Sequence, residues 1–224
     1  MKTHEELRQD VTDELMFDPS LDEAGIGVAV TNGGVVTLTG HVGSYADKMA
    51  AEKAAKRVAG VNALANDLKV TLFAGTQRDD TDIAEAAVSA LKWNTWLPTD
   101  AVKVVVKDGW ITLEGTLDWQ YQKDTARKAV EHLRGVKGVT NLVTLKPRVL
   151  PQEVEKKVQS AFARAATLDA KHVHAAAIGG RVVLSGDVRS WAEREDAERA
   201  AWSVTGVTEV DNNLTVGAMA YAEL

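Results

Sequence analysis

"GGVVTLTG", Gly33 to Gly40, carries the reading of the fold. Paired glycines, an alternating apolar run and a closing glycine describe a tight turn feeding a β-strand. The same text returns as "DGWITLEG", Asp108 to Gly115, and as "GGRVVLSG", Gly179 to Gly186. Gly34, Gly109 and Gly180 are each followed six residues on by Gly40, Gly115 and Gly186, and twenty residues beyond these stand Gly60, Gly135 and Gly206. A valine follows each of the last set (Val61, Val136, Val207), and an asparagine stands six residues past each glycine (Asn66, Asn141, Asn212). A ruler of this length, kept three times without insertion at periods of 75 and 71 residues, marks a triplicated small domain. The borders fall at 1–75, 76–147 and 148–224.

Each copy reads as α-β-β-α-β. Leu7, Val11 and Leu15 repeat at helical spacing, as do Ile83, Ala87 and Leu91, and Val154, Val158 and Ala161 or Phe162. Pro151 suits a helix's first turn, where its missing N–H costs nothing. Strand one alternates through Ile26, Val28 and Val30, through Val102, Val104 and Val106, and through Val173, Ala175 and Ala177. Strand two turns Val36 and Leu38, Ile111 and Leu113, Val182 and Leu184 inward, and the closing glycines are expected to end it. Ser44 with Asp47, and Ser190 with Glu193, announce a second helix by capping boxes, with Asp118 expected as the cap in the second copy. Alanine-rich faces (Ala51, Ala54, Ala55; Ala126, Ala129; Ala197, Ala200, Ala201) imply close helix-to-sheet approach, and Gly60, Gly135 and Gly206 read as C′ stops. Strand three points Leu64, Leu68 and Val70, then Val139, Val143 and Leu145, then Val210, Leu214 and Val216 inward. The fold class is α+β: three tandem units, each a three-stranded mixed sheet with two helices on one face. "LFAGTQRDD" and "LKPRVLP" are the expected linkers.

The totals exclude several classes. The 224 residues carry a net charge of −6 and no cysteine, so disulfides, thiolate catalysis and Cys-type zinc sites are absent. The three segments carry net −4, 0 and −2 with no basic run, which argues against nucleic acid as a partner. No run approaches a membrane span, and the first twenty residues lack the apolar core of a signal peptide. The expectation is a cytoplasmic protein as the sequence stands, or a periplasmic one if a signal has been removed. Nothing in the sequence speaks to oligomeric state.

The pattern strand–"xxGxVxLxGxV"–helix–"xxGVxxVxNxL" resembles the BON domain. Its first half is carried by "NGGVVTLTGHV", "DGWITLEGTL" and "GGRVVLSGDV", its second by "AGVNALANDL", "RGVKGVTNLV" and "TGVTEVDNNL". The resemblance implies a non-enzymatic bacterial protein of osmotic or general stress, associated with phospholipid or envelope interfaces. One type of member is linked to potassium. The chain departs from most tandem-BON proteins in lacking a visible secretion signal, and its acidic balance supplies no overall pull toward anionic lipid.

Reactive chemistry is sparse. His172 and His174, two apart on a strand, share a face, and solvated side chains explain them better than a metal does. No G-x-S-x-G, HExxH, P-loop or helix-opening G-x-G-x-x-G occurs, so neither catalysis nor a cofactor is expected. The three asparagines read as amides satisfying strand or turn backbone. Aromatics are the better lead. Trp93 and Trp96 stand where helix one gives way to strand one, Trp119 and Tyr121 open helix two, and Trp110 has outward parity beside Lys103 and Lys107. Either these rings fill seams between the domains, the favoured reading, or they form a recognition face on the second copy for phospholipid or an envelope protein. The exposure of Trp110 discriminates. Binding of unfolded clients, or of a small ligand or ion, stands as the alternative.

Overall fold

The computed structural model describes residues 2–21, 25–72, 75, 77–146, 154–164 and 172–217. Its elements repeat three times. The first set is α1 (His4–Phe17), β1 (Ile26–Thr31), β2 (Val35–Val42), α2 (Tyr45–Arg57), β3 (Ala63–Asn66) and β4 (Lys69–Val70). The second is α3 (Asp80–Trp93), β5 (Val102–Lys107), β6 (Trp110–Leu117), α4 (Gln120–Glu131), β7 (Gly138–Asn141) and β8 (Thr144–Leu145). The third is α5 (Val154–Arg164), β9 (Val173–Ile178), β10 (Arg181–Val188), α6 (Trp191–Trp202) and β11 (Glu209–Val216). Pro151 and parts of both expected linkers lie outside the described residues.

In each sheet the second strand is central. It pairs antiparallel with the first strand and parallel with the third, so the sheet is mixed. The apolar periods land where the spacing places them. Ile83 and Ala87 of α3, Ala126 and Val130 of α4, and Ile111 and Leu113 of β6 join one buried cluster, which puts both helices on the same sheet face. Phe162 of α5, Ala197 and Ala201 of α6 and Leu184 of β10 do the same in the third set. Leu7, Val11, Leu15, Val36, Leu38 and Ala51 are buried in the first.

Packing divides the chain into two compact units. One comprises Met1–Thr3, Lys56–Asn62 and Pro147–Leu224, the other His4–Ala55 and Ala63–Lys146. The second unit thus holds the first two sheets, and the first unit the third sheet.

Three local expectations are corrected. The closing glycines do not end strand two. Gly40, Gly115 and Gly186 sit inside β2, β6 and β10, because the strand continues after its antiparallel neighbour has begun and keeps bonding to the parallel one. Their φ values of 115°, 143° and 119° and the carbonyl oxygens of Gly25, Ala101 and His172 packed against them leave no room for a Cβ. The helix-two glycines are not C′ residues either. Gly60 is the third residue of the turn in which Val61 N–H bonds the Val58 carbonyl, with φ 102°, beyond the end of α2. The cap of α4 is Trp119, not Asp118: Gln122 Oε1 accepts the N–H groups of both residues at 3.2 Å, while Asp118 faces Lys146. Ser44 and Ser190 do cap, accepting from Asp47 N–H (3.1 Å) and Glu193 N–H (3.2 Å).

Candidate functional site

The repeated asparagine is a structural clasp. Asn141 Nδ2 donates to the Lys123 carbonyl in the first turn of α4 (2.8 Å), and its Oδ1 accepts the Val143 N–H (3.2 Å). Asn66 joins the Lys48 carbonyl and Glu52 to the Leu68 N–H, and Asn212 joins the Arg194 carbonyl and Glu198 to the Leu214 N–H. One amide thereby satisfies helix and strand together: Asn66 and Asn141 stand at the junctions of β3 with β4 and of β7 with β8, and Asn212 stands inside the continuous β11.

The outer face of the second sheet carries a position that differs in each copy. Register pairs Trp110 with Gly138 and Lys107, Thr112 with Val105 and Thr140, and Lys103 with Glu114. The indole of Trp110 lies across β7 on Gly138. Its Nε1–H donates to Thr140 Oγ1 at 2.8 Å. At the same position the first copy places Val35 beside Ala63, and the third places Arg181 beside Glu209 with Asp211, which it ion-pairs. The position tolerates apolar, aromatic and charged side chains, so the repeat's stability does not require the tryptophan.

Trp110 is 50% exposed, Trp93 86%, Trp96 65% and Tyr121 49%. At these exposures Trp93, Trp96 and Tyr121 are not sealed in a seam within their unit, while the half-exposed Trp110 lines a groove together with Leu68 and Val70 of the first copy. Trp191 is the one that meets a neighbouring segment of its own compact unit: its Nε1–H donates to the Val61 carbonyl (3.0 Å), and Lys56 stands 5.2 Å from its ring centre. In the other unit the matching helix-two residue, Tyr45, packs on the core of the second sheet. Burial pushes its phenol above the ordinary value, with Arg127 opposing that shift.

The seven residues singled out from sequence form two groups rather than one. Trp93, Trp96, Trp119 and Tyr121 gather where α3 ends and α4 begins: Trp96 and Tyr121 meet edge to face at 5.9 Å, and Gln122 Nε2 donates to the Trp96 carbonyl. Trp110 and Lys107 stand at the opposite end of the hairpin, beside the Asp108–Gly109 turn, with Lys103 farther along β5. Trp110 and Gly115 are separated by roughly 17 Å of strand. Both turn residues take positive φ, 53° and 80°, and Asp80 accepts their N–H groups at 2.8 and 2.9 Å, fixing the start of α3 to the hairpin.

Around Trp110 the second unit opens a groove of about 620 Å³. Its walls are Leu68, Val70, Val105 and Thr112, and its rim carries Lys48, Lys69, Lys107, Lys137 and Asp108. Lys48 Nζ donates to the Leu68 carbonyl at 2.8 Å. Sequence reasoning missed Lys48, Lys69 and Lys137. Lys137 was within reach, since it precedes the glycine under Trp110; Lys48 and Lys69 come from the first copy and carry no local signal. His172 and His174 are exposed, and among the described residues no group of three or more His, Asp or Glu is placed to hold a metal ion. Among the described residues no helix is long and apolar enough to cross a membrane.

Three α-β-β-α-β modules on one ruler define the class, a tandem-repeat α+β protein. The chain belongs to the BON domain family, whose model matches residues 3–71, 79–147 and 152–218. It is similar to the osmotically inducible protein Y of Escherichia coli (strain K12), at 36% identity over 112 residues. That match spans 48% of this chain and 55% of the relative, about half the length of each. Two solved structures of CdsD, a structural protein of the type III secretion system of Chlamydia trachomatis, align at 15% identity. They cover 97% and 93% of this chain, and 100% and 91% of their own, with TM-scores of 0.26 and 0.27. Superposition at that level carries no functional argument.

Proposed function

We propose that the chain is a non-catalytic tandem-BON binding protein of the osmotic stress response, with domains at 1–75, 76–147 and 148–224, and that its second copy contacts phospholipid at an envelope membrane. The observation that carries this reading is the exposure of Trp93, Trp96 and Trp110 on that copy, at 86%, 65% and 50%. Large amphipathic rings left in water are the side chains that settle at a bilayer interface, and Lys107 beside Trp110, with Lys103 farther along β5, adds attraction to anionic headgroups. The similarity to an osmotically inducible protein supplies the physiological setting. In this reading the chain works at the face of a membrane rather than through it.

Co-sedimentation with phosphatidylglycerol and phosphatidylcholine vesicles tests it. Wild type should pellet with the anionic vesicles, and Trp93→Ala/Trp96→Ala and Trp110→Ala should each pellet less. Failure to pellet with any lipid composition rejects the reading. Suppression of aggregation of a denatured client without lipid binding would transfer the same exposed rings, with Phe17 at 82% exposure, to the client-binding alternative.

A further inference from the structure

We infer that the groove around Trp110 is a site for a soluble phosphate ester carrying a planar ring, of the nucleoside phosphate class. The inference rests on the second copy being the recognition copy, but not on lipid being its ligand. Its first support is charge. Lys48, Lys69, Lys107 and Lys137 surround one concavity with Asp108 as the only acidic residue in its lining. Among the described residues Lys69, Lys107 and Lys137 make no ion pair, although the chain as a whole is acidic, at −6. Four lysines against one carboxylate around a single concavity give it a positive bias, which an anion would neutralise.

The second support is the indole. Gly138 lies beneath one face of Trp110, and the indole Nε1–H of Trp110 is already bonded to Thr140 Oγ1, so what the tryptophan offers the groove is an aromatic surface rather than a donor. A flat π-surface ringed by lysines suits a ligand that stacks and carries phosphate. The third support is shape. The groove lies between Leu68–Val70 and the outer face of β5 and β6, both within the same compact unit, and its volume is that of a small-molecule site. A flat bilayer can reach the exposed edge of Trp110 at the mouth of such a concavity, whereas a soluble ester can enter it. Its lining supplies few fixed hydrogen-bonding groups to read a base edge, so purines should bind alike.

Calorimetric titration of the full chain with ATP, GTP, adenosine and inorganic phosphate at low and high salt tests the site. ATP and GTP should bind with similar affinity, more tightly than phosphate or adenosine, and weaken as salt rises. Trp110→Ala should lose about tenfold in ATP affinity, equivalent to ~1.4 kcal/mol, while Trp110→Phe retains most of it. Lys69→Ala/Lys137→Ala should lose ATP binding and keep vesicle pelleting; Trp93→Ala/Trp96→Ala should do the reverse, so the two readings fail separately. Absence of ATP binding at low salt by a folded wild-type chain overturns the inference. So does phosphate binding as tightly as ATP with Trp110→Ala unchanged, which would leave only a nonspecific anion patch.

Discussion

Trp110 rests on Gly138: a Cβ at residue 138 would fall inside the van der Waals envelope of the indole's six-membered ring. The glycine is there for the ring and not for the backbone, because Gly138 is not among the glycines with positive φ. Gly138→Ala should therefore displace Trp110 and cost on the order of 1 kcal/mol, as forced overpacking does. In a Trp110→Ala background the same substitution should cost little. A double-mutant cycle by urea denaturation measures the coupling, and an additive result would show that the indole does not depend on the glycine.

The asparagine clasp should be a stability device in all three copies. Asn141→Ala leaves the Lys123 carbonyl and the Val143 N–H without their side-chain partner, an expected loss of about 1–3 kcal/mol. Asn141→Asp keeps an acceptor for Val143 but removes the donor for Lys123 and should recover only part of the loss. Thermal unfolding of the two variants decides; equal stability of Asn141→Ala and wild type would contradict the clasp.

Gly115 should be among the least replaceable residues of the second copy. Its φ of 143° is poorly accessible to other residues, and the Ala101 carbonyl stands where a Cβ would go. Gly115→Ala should destabilise by about 2–4 kcal/mol, combining backbone strain with displacement of the start of β5. Hydrogen exchange should locate the loss in β5 and β6.

Tyr45 should leave a signature at alkaline pH. Burial raises its phenol above the unfolded value near 10, so the folded state holds this proton more tightly than the unfolded chain does. The stability it contributes is complete below the unfolded value and is lost as pH rises from there through the raised folded value. Tyr45→Phe removes that titration. Denaturation curves for the two proteins should run parallel at neutral pH and diverge above about pH 10, with wild type falling faster. Parallel curves across the whole range would place Tyr45 in water.

The repeat was legible because its signals are local. Glycine spacing, the alternation of Val104 and Val106 and the helical period of Ile83, Ala87 and Leu91 each report on neighbours in the chain, and the structure buries Ile83 and Ala87 accordingly. The errors were local as well. Gly115 looks like a strand end in sequence, which shows a glycine but not the second neighbour, β8, that keeps the strand going. Residue type favours Asp118 as the cap, whereas Gln122, one turn into the helix, supplies the acceptor.

By itself the amino-acid sequence determined that this chain is one α-β-β-α-β unit written three times, since backbone geometry and burial periodicity act over a few residues. Only the tertiary structure decided that Lys48 and Lys69 of the first copy stand across a groove from Lys107, Trp110 and Lys137 of the second. Residues so far apart in the chain meet through the packing of folded surfaces, and Coulomb forces depend on distance in space. A net charge of −6 and a basic groove are therefore compatible, and no count along the chain distinguishes them.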